Sequence, residues 1–253
     1  PPPPLRPHGA LPTAPPPAKP GPHPVTSANR ARGPIPEPLA FLGPVLEPLY
    51  RLVIAHRNRR FDSGTGVTRL PIPVISIGNL SVGGTGKTPL VAHTVSTLLR
   101  AGRRPCIAMR GYQRGKPAAA NHVPDETDLY QRDFPGLPIV AQPDRAAGVL
   151  DLIQKYSATA SAHAPPDCIV LDDGFQHRRI ARDLDIVIID ASRSPFEDRL
   201  LPAGFLREPV SSLARAHILV ISHTELVTPR DLATLRRHLA ALDPRDSKAP
   251  VPI

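Results

Sequence analysis

From Leu70 onward, short apolar runs alternate with amphipathic stretches. Six runs rich in Val and Ile predict strands at residues 73–77, 105–109, 137–141, 167–171, 185–189 and 217–221. Helical periodicity between them predicts helices near residues 89–101, 145–156 and 210–215. Because the runs are almost continuously apolar, they are typical of parallel strands covered on both faces. The pattern predicts an α/β fold: a doubly wound, mostly parallel sheet with helices on both faces, as in P-loop NTPases.

A different pattern occupies residues 37–60, ahead of the first predicted strand. Apolar residues recur there at helical spacing, at Leu42, Val45, Leu46, Leu49, Leu52 and Val53. Arg57, Arg59 and Arg60 follow at the end of the segment. We expect an amphipathic helix, broken or preceded by Pro44 and Pro48. Its apolar face either packs on its own domain or lies on an anionic membrane, where apolar burial and arginine attraction to headgroups act together.

Composition separates residues 1–36 from the rest. This stretch holds 14 of the 35 prolines and no acidic residue, and it contributes +4 of the formal net charge of +9. Without a sizeable apolar content it cannot offset the entropy lost on ordering, so we expect a disordered tail. The predicted organisation is a tail at 1–36, the amphipathic helix at 37–60 and one α/β domain at 61–253.

Composition also excludes several classes of protein. Cys106 and Cys168, the two cysteines, lie in predicted strands, which leaves no disulfide framework or cysteine-based zinc site. No run of 18 apolar residues predicts a membrane-spanning helix. The basic tail has no aromatic residue to stack on bases, so we expect no nucleic-acid partner.

The predicted strand at 73–77 leads directly into a glycine-rich loop and a helix. The nucleotide-binding candidates are the eight consecutive residues Ser81, Val82, Gly83, Gly84, Thr85, Gly86, Lys87 and Thr88. Backbone N–H groups of such a loop surround phosphate oxygens at the positive end of the helix. Lys87 would reach the β- and γ-phosphates, and the Thr88 hydroxyl would ligate Mg²⁺. Ser81 stands where the Walker A pattern has glycine.

Two details argue against a nucleotide switch. ATPases of the partitioning type carry an extra lysine at the position of Val82. Guanine-specific switches usually have Asn-Lys-x-Asp after a late strand, where this chain reads Ser222-His-Thr-Glu225.

A second set of candidates follows the apolar run at 168–171. Asp172 ends that run as the acid of a Walker B strand would, so we predict that it holds Mg²⁺. Asp173, Gln176 and His177 continue as a polar cluster, although Asp173 would alternatively cap a turn and leave His177 solvated.

Two arginines are candidates for neutralising a transferring phosphoryl group. They are Arg145, which opens a predicted helix, and Arg207, which precedes Glu208 in a loop. Taken alone, each would more simply be part of a salt bridge or a helix cap. On composition alone Asp125 is a solvated loop residue.

Together these motifs resemble the tetraacyldisaccharide 4′-kinase family, the lipid A 4′-kinases. The motifs that carry the resemblance are the loop through Pro89, Arg110-Gly-Tyr112, Asp125-Glu126, Asp144-Arg145, Leu171–His177 and Leu206–Pro209. They occur in the family's order and span about residues 38–226.

The resemblance implies an ATP-dependent kinase of lipid A biosynthesis. Its substrate would be a tetraacylated glucosamine disaccharide 1-phosphate, phosphorylated on the 4′-hydroxyl at the cytoplasmic face of the bacterial inner membrane, with the enzyme attached peripherally. It further implies that Asp125 activates the sugar hydroxyl, and that Tyr112, Asp173, Gln176, His177 and Glu208 contact or support the substrate. The family has a further C-terminal segment, so we expect a C-terminally incomplete chain.

Other functions remain open on the residues alone. A P-loop ATPase or kinase acting on a soluble small molecule, or a nucleotide switch, would use the same loop. Neither explains the apolar helix with its basic end. We expect a monomer.

Overall fold

The computed structural model describes residues 34, 39, 41–111, 126–158 and 164–242, all within one compact unit. Two predicted site residues, Tyr112 and Asp125, lie outside the described residues, as does nearly all of the predicted proline-rich tail.

The structure contains five α-helices and six strands within these ranges. The helices are α1 (Leu42–Asp62), α2 (Lys87–Arg100), α3 (Glu126–Asp133), α4 (Arg145–Ala158) and α5 (Pro229–Ala240). The strands are β1 (Val74–Asn79), β2 (Pro105–Met109), β3 (Ile139–Ala141), β4 (Cys168–Asp172), β5 (Leu184–Asp190) and β6 (Ile218–Ser222). Short 3₁₀ turns occupy Val210–Arg215 and Thr224–Leu226. All six predicted strands are present.

The strands form one sheet in the order β3-β2-β4-β1-β5-β6, and every neighbouring pair is parallel. This confirms the predicted doubly wound sheet. Strand β1 lies between β4 and β5, and Ile77 is in register with Asp172. The loop after β1 and the acidic end of β4 therefore meet at the same edge, where α/β proteins bind their ligands.

Alternate residues of each strand enter different halves of the core. Ile107, Met109 and Val170 pack with α2 and α3 on one face, around buried Val91, Val95 and Tyr130. Cys106, Ala108 and Ile169 pack with Val149 of α4 on the other face. Val187 and Ile189 of β5 also face that side, against Leu213 and α5. Both faces of the sheet are thus covered, as the apolar runs predicted.

Two local predictions differ from the structure. The predicted helix at 210–215 is a single 3₁₀ segment, and the extended residues Pro209 and Ala216 on either side limit it to six residues. Helix α3 was not predicted, because its eight residues are mostly polar and its apolar pattern around Tyr130 is short.

Helix α1 runs without a break through Pro48, while Pro44 lies in its first turn. Proline in a first turn removes an N–H that has no intrahelical partner, so only Pro48 costs the helix a hydrogen bond.

The apolar face of α1 points away from the protein. Val45, Leu46, Leu49, Leu52 and Val53 are 41–68 % exposed, whereas Glu47 is buried. Glu47 is held there by Arg199 at 2.7 Å and Arg51 at 2.9 Å. The structure therefore leaves most of this apolar face exposed, while the opposite side of α1 contacts the rest of the protein. Within the described residues, no helix combines the length and the hydropathy needed to cross a membrane.

Candidate active site

The glycine-rich loop joins the end of β1 to the start of α2. Gly86 caps α2 in the left-handed region, with φ of 84°, and Lys87 and Thr88 open the helix. Pro89 lies in the first turn, as predicted. The first N–H groups of a helix lack intrahelical partners and carry the positive end of its dipole, so this junction suits an anion.

Thr85 is held inside the protein by two polar contacts. The Asn79 amide donates to the Thr85 hydroxyl at 2.9 Å, and the Ser222 hydroxyl donates to the Thr85 carbonyl at 3.0 Å. Because its hydroxyl and its carbonyl both act as acceptors here, Thr85 can still offer its backbone N–H and its hydroxyl hydrogen to a phosphate. Neither Asn79 nor Ser222 was predicted as a site residue.

Residues 205–207 lie along the front of the loop. Val82 N–H donates to the Phe205 carbonyl at 2.9 Å, and Arg207 N–H donates to the Leu80 carbonyl at 2.9 Å. Ser81 forms an antiparallel bridge with Leu206. Of the residues predicted to bind nucleotide, Val82 thus has its backbone N–H bonded within the protein, and Ser81 is held beside Leu206 by the hydrogen bonds of its neighbours.

The Asp173 carboxylate lies beside two of the predicted cationic side chains. Its carboxylate oxygens accept from Arg207 Nη1 at 2.9 and 2.8 Å, and Lys87 Nζ lies 3.8 Å from Oδ1. Arg207 Nη1 also donates to Gln176 Oε1 at 3.3 Å. The structure thus brings Lys87, Asp173, Gln176 and Arg207 together, although they lie far apart in the sequence.

Asp172 is buried beside Thr88, the other predicted metal ligand. The Tyr130 hydroxyl donates to Asp172 Oδ2 at 3.0 Å, and the same hydroxyl hydrogen-bonds Thr88. Burial raises the pKa of the Asp172 carboxyl above its usual range, and burial likewise raises the pKa of Tyr130. A cation next to Asp172 would favour its charged form.

This arrangement fits Mg²⁺ in particular. Mg²⁺ is usually held by one or two carboxylates together with substrate phosphates and water. Across the described ranges, no three His, Cys, Asp or Glu side chains come close enough to hold a metal by themselves. A metal between Thr88 and Asp172 would therefore take its remaining ligands from phosphate and water.

Arg145 is almost fully buried at the start of α4. Its Nη1 donates to the Asp172 carbonyl at 2.8 Å and contacts the Asp173 carbonyl at 3.4 Å. Its Nε is buried with no hydrogen-bond partner among the described residues. Burial lowers the pKa of this guanidinium. A buried cation with an unused donor beside Asp172 fits the predicted role of neutralising a phosphoryl group.

Glu208 lies away from these groups. Its carboxylate is fully buried and accepts from Arg57 at 2.8 Å, Asn58 at 3.0 Å and Arg215 at 2.8 Å. Glu208 is therefore bonded to three donors from the protein and does not line the cavity described next.

A cavity of about 1050 Å³ opens at this edge. One wall carries Lys87, Arg145, Asp172 and Arg207; the facing wall comes from α1. The α1 residues that line it are Tyr50, Val53, His56, Arg57, Arg60 and Phe61. Gly111 and Glu126, the described residues on either side of residues 112–125, also line the cavity.

The comparisons with known proteins agree with this geometry. A family model described as tetraacyldisaccharide-1-P 4′-kinase matches residues 39–248. The chain belongs to this family. The match spans α1, the whole sheet and the cavity, so the family assignment covers every described element of the site.

Individual members of the tetraacyldisaccharide-1-P 4′-kinase family support the assignment. The tetraacyldisaccharide 4′-kinase of Chlorobium limicola is 38 % identical over 76 % of this chain and 57 % of its own length. The corresponding kinase of Pseudomonas syringae pv. syringae is 42 % identical over 72 % of this chain and 55 % of its own length. This chain therefore spans little more than half the length of these relatives.

A solved structure extends the likeness to three dimensions. The crystal structure of the apo form of LpxK from Aquifex aeolicus in complex with ATP has a TM-score of 0.60 and 39 % identity to this chain. The alignment covers 72 % of this chain and 58 % of that one.

We predict that His177, which lines the cavity, stays neutral well below neutral pH. Burial, and secondarily Arg145, Arg182 and Arg179, lower the pKa of its imidazole from 6.5 to about 4. An NMR titration of the imidazole should therefore give a midpoint near 4, with His177→Gln identifying the signal. Because the folded pKa is the lower one, protonation favours unfolding, and His177 costs stability progressively as pH falls from 6.5 towards 4. A midpoint near 6.5 would contradict this environment.

Proposed function

We propose that this protein transfers the γ-phosphoryl group of ATP to the 4′-hydroxyl of a tetraacylated glucosamine disaccharide 1-phosphate. The observation that carries the proposal is the cavity, whose walls are the phosphate loop and the helix with the exposed apolar face. A lipid whose acyl chains remain beside α1 could present its sugar headgroup to the phosphate loop. A soluble substrate would not explain why that apolar face is exposed.

The chain's own residues have distinct parts in this transfer. Backbone N–H groups from Gly83 to Gly86 and the start of α2 bind the phosphates. Lys87 exchanges Asp173 for the β- and γ-phosphates. Arg207 and Arg145 neutralise charge that builds up on the transferring group.

The reaction forms one bond and breaks one. The 4′-oxygen attacks the γ-phosphorus, the bond from that phosphorus to the β,γ-bridging oxygen breaks, and ADP leaves. The hydroxyl proton goes to the Asp125 carboxylate. Mg²⁺, held by Thr88 and Asp172, would supply further charge neutralisation on the phosphates. Tyr112, Gln176 and His177 orient the sugar for this attack.

Membrane attachment is part of the proposal. Five exposed apolar side chains on one face of α1 are more than a surface helix usually leaves in water. Burying them in the interfacial region of the inner membrane, on its cytoplasmic side, would place the cavity next to the headgroups.

The kinase assignment can be tested with labelled ATP. The full-length protein is incubated with [γ-³²P]ATP and tetraacyldisaccharide 1-phosphate in detergent, and chloroform-soluble label is counted. We expect Lys87→Ala to lower the rate by roughly 10²–10³, because it removes charge that acts on the transferring phosphates. Lys155→Ala on the exposed side of α4 is the matched control. Asp125→Asn, which keeps the shape and removes the basicity, should lower turnover by about 10²–10⁴.

If the protein with Lys87 intact transferred no label to the lipid, the proposed substrate would be rejected. Label appearing instead on a soluble sugar phosphate would favour a small-molecule kinase. An unchanged rate in Lys87→Ala would reject the role of the loop.

The membrane assignment predicts a second result. Serine at Val45, Leu49 and Leu52, each at least 60 % exposed, should lower binding to vesicles of phosphatidylglycerol and phosphatidylethanolamine at least tenfold. Serine at the exposed Leu99 and Leu150, outside α1, is the control and should leave co-sedimentation unchanged. Equal loss in both sets, or no loss in either, would reject the α1 face as the attachment surface.

A further inference from the structure

Helix α1 makes a set of directional polar contacts with the protein on its inward face. Tyr50 donates its hydroxyl hydrogen to the Arg207 carbonyl at 2.9 Å. Arg57 and Asn58 donate to Glu208, as described above. Arg178 also donates to α1, to the Asn58 carbonyl at 3.1 Å and to the Asp62 carboxylate at 2.7 Å. Hydrogen bonds of these lengths fix both distance and orientation, which apolar packing alone does not.

These contacts reach two segments that hold Asp173, Gln176 and Arg207, namely the turn after β4 and residues 205–208. Arg207 and Glu208 belong to the segment that pairs with the front of the phosphate loop. Arg178 follows Gln176 and His177, which belong to the turn after β4. From Tyr50, one hydrogen bond reaches the Arg207 backbone, and the next joins that same residue to Leu80.

Glu208 makes the protein sensitive to displacement of α1. A fully buried carboxylate depends on its donors, because an unpaired charge in the interior is strongly destabilising. Two of its three donors, Arg57 and Asn58, come from α1, and Arg215 supplies the third. Displacement of α1 would leave this charge with one partner, immediately next to Arg207.

Resting on the proposed function, we propose that α1 is a positioning element of the phosphoryl-transfer site as well as its outer surface. Through Tyr50 and Glu208 it holds residues 205–208 against the front of the phosphate loop and so fixes Arg207 over Asp173 and Lys87. Glu208 is on this account a positioning residue that acts through Arg207, not a substrate ligand.

Hydrogen exchange tests the linkage without reference to activity. The amides of Val82 and Arg207 are the reporters, because each donates across the pair of segments. We expect Tyr50→Phe, which removes only the hydroxyl, to speed exchange in the peptides that cover residues 79–88 and 203–209 by about tenfold. Arg57→Gln should do the same. Tyr156→Phe on α4 and Arg59→Gln on the exposed side of α1 make identical changes elsewhere and should leave both peptides unaffected.

Kinetics separate a positioning role from a loss of stability. Tyr50→Phe should lower kcat roughly fivefold and leave KM for ATP within about twofold. In an Arg207→Ala background it should lower kcat no further, because the side chain that the contact positions is gone although the backbone carbonyl remains. A similar fall in both backgrounds would reduce Tyr50 to a stabilising contact.

Unchanged exchange in both Tyr50→Phe and Arg57→Gln would overturn the linkage, whatever the activity. Faster exchange in a protein that transfers no phosphate to the lipid would instead retain the linkage and reject the proposed function.

Discussion

The ion pair between Arg207 and Asp173 joins the parts of this site that the sequence keeps apart. Arg207 belongs to the segment paired with the front of the phosphate loop, and Asp173 follows β4 directly. Lys87, at the start of α2, shares the same carboxylate at 3.8 Å. A carboxylate between two cations occupies the kind of position that a phosphate would take in a nucleotide complex. The loop, the Walker B turn and the arginine segment are thereby arranged around one anionic position.

Burial decides which charges near that position stay fixed and which respond to a ligand. Glu208 is fully enclosed and bonded to three donors, so it serves as an anchor. Asp172 is buried and its carboxyl has a raised pKa, so a nearby cation would favour its charged form. Asp173 is 35 % exposed and paired with side chains that can turn to another anion. Rigid anchors outside and exchangeable pairs inside are what a phosphate-transfer site requires, because its donors must be positioned before charge develops.

Much of this arrangement was predictable from the sequence, for identifiable reasons. Continuous apolar runs predicted all six strands, and parallel strands with shared carboxyl ends explain why Asp172 lies beside the phosphate loop. Periodicity revealed the apolar stripe of α1 but not its direction, since the same pattern describes an inward and an outward face. The pairing of Ser81 with Leu206 and the contact of Tyr130 with Asp172 could not be predicted, because they join residues 125 and 42 positions apart and leave no local pattern.

We propose that Lys87, Thr88, Asp172 and Arg207 form one phosphate and metal site at the edge of the sheet. The most direct test is a crystal structure of the full-length protein with Mg²⁺ and a non-hydrolysable ATP analogue. The account predicts the γ-phosphate within hydrogen-bonding distance of Lys87, Mg²⁺ contacting Thr88 and Asp172, and Lys87 withdrawn from Asp173. A nucleotide bound elsewhere, or one bound here with Lys87 still paired to Asp173 and no metal at Asp172, would contradict it.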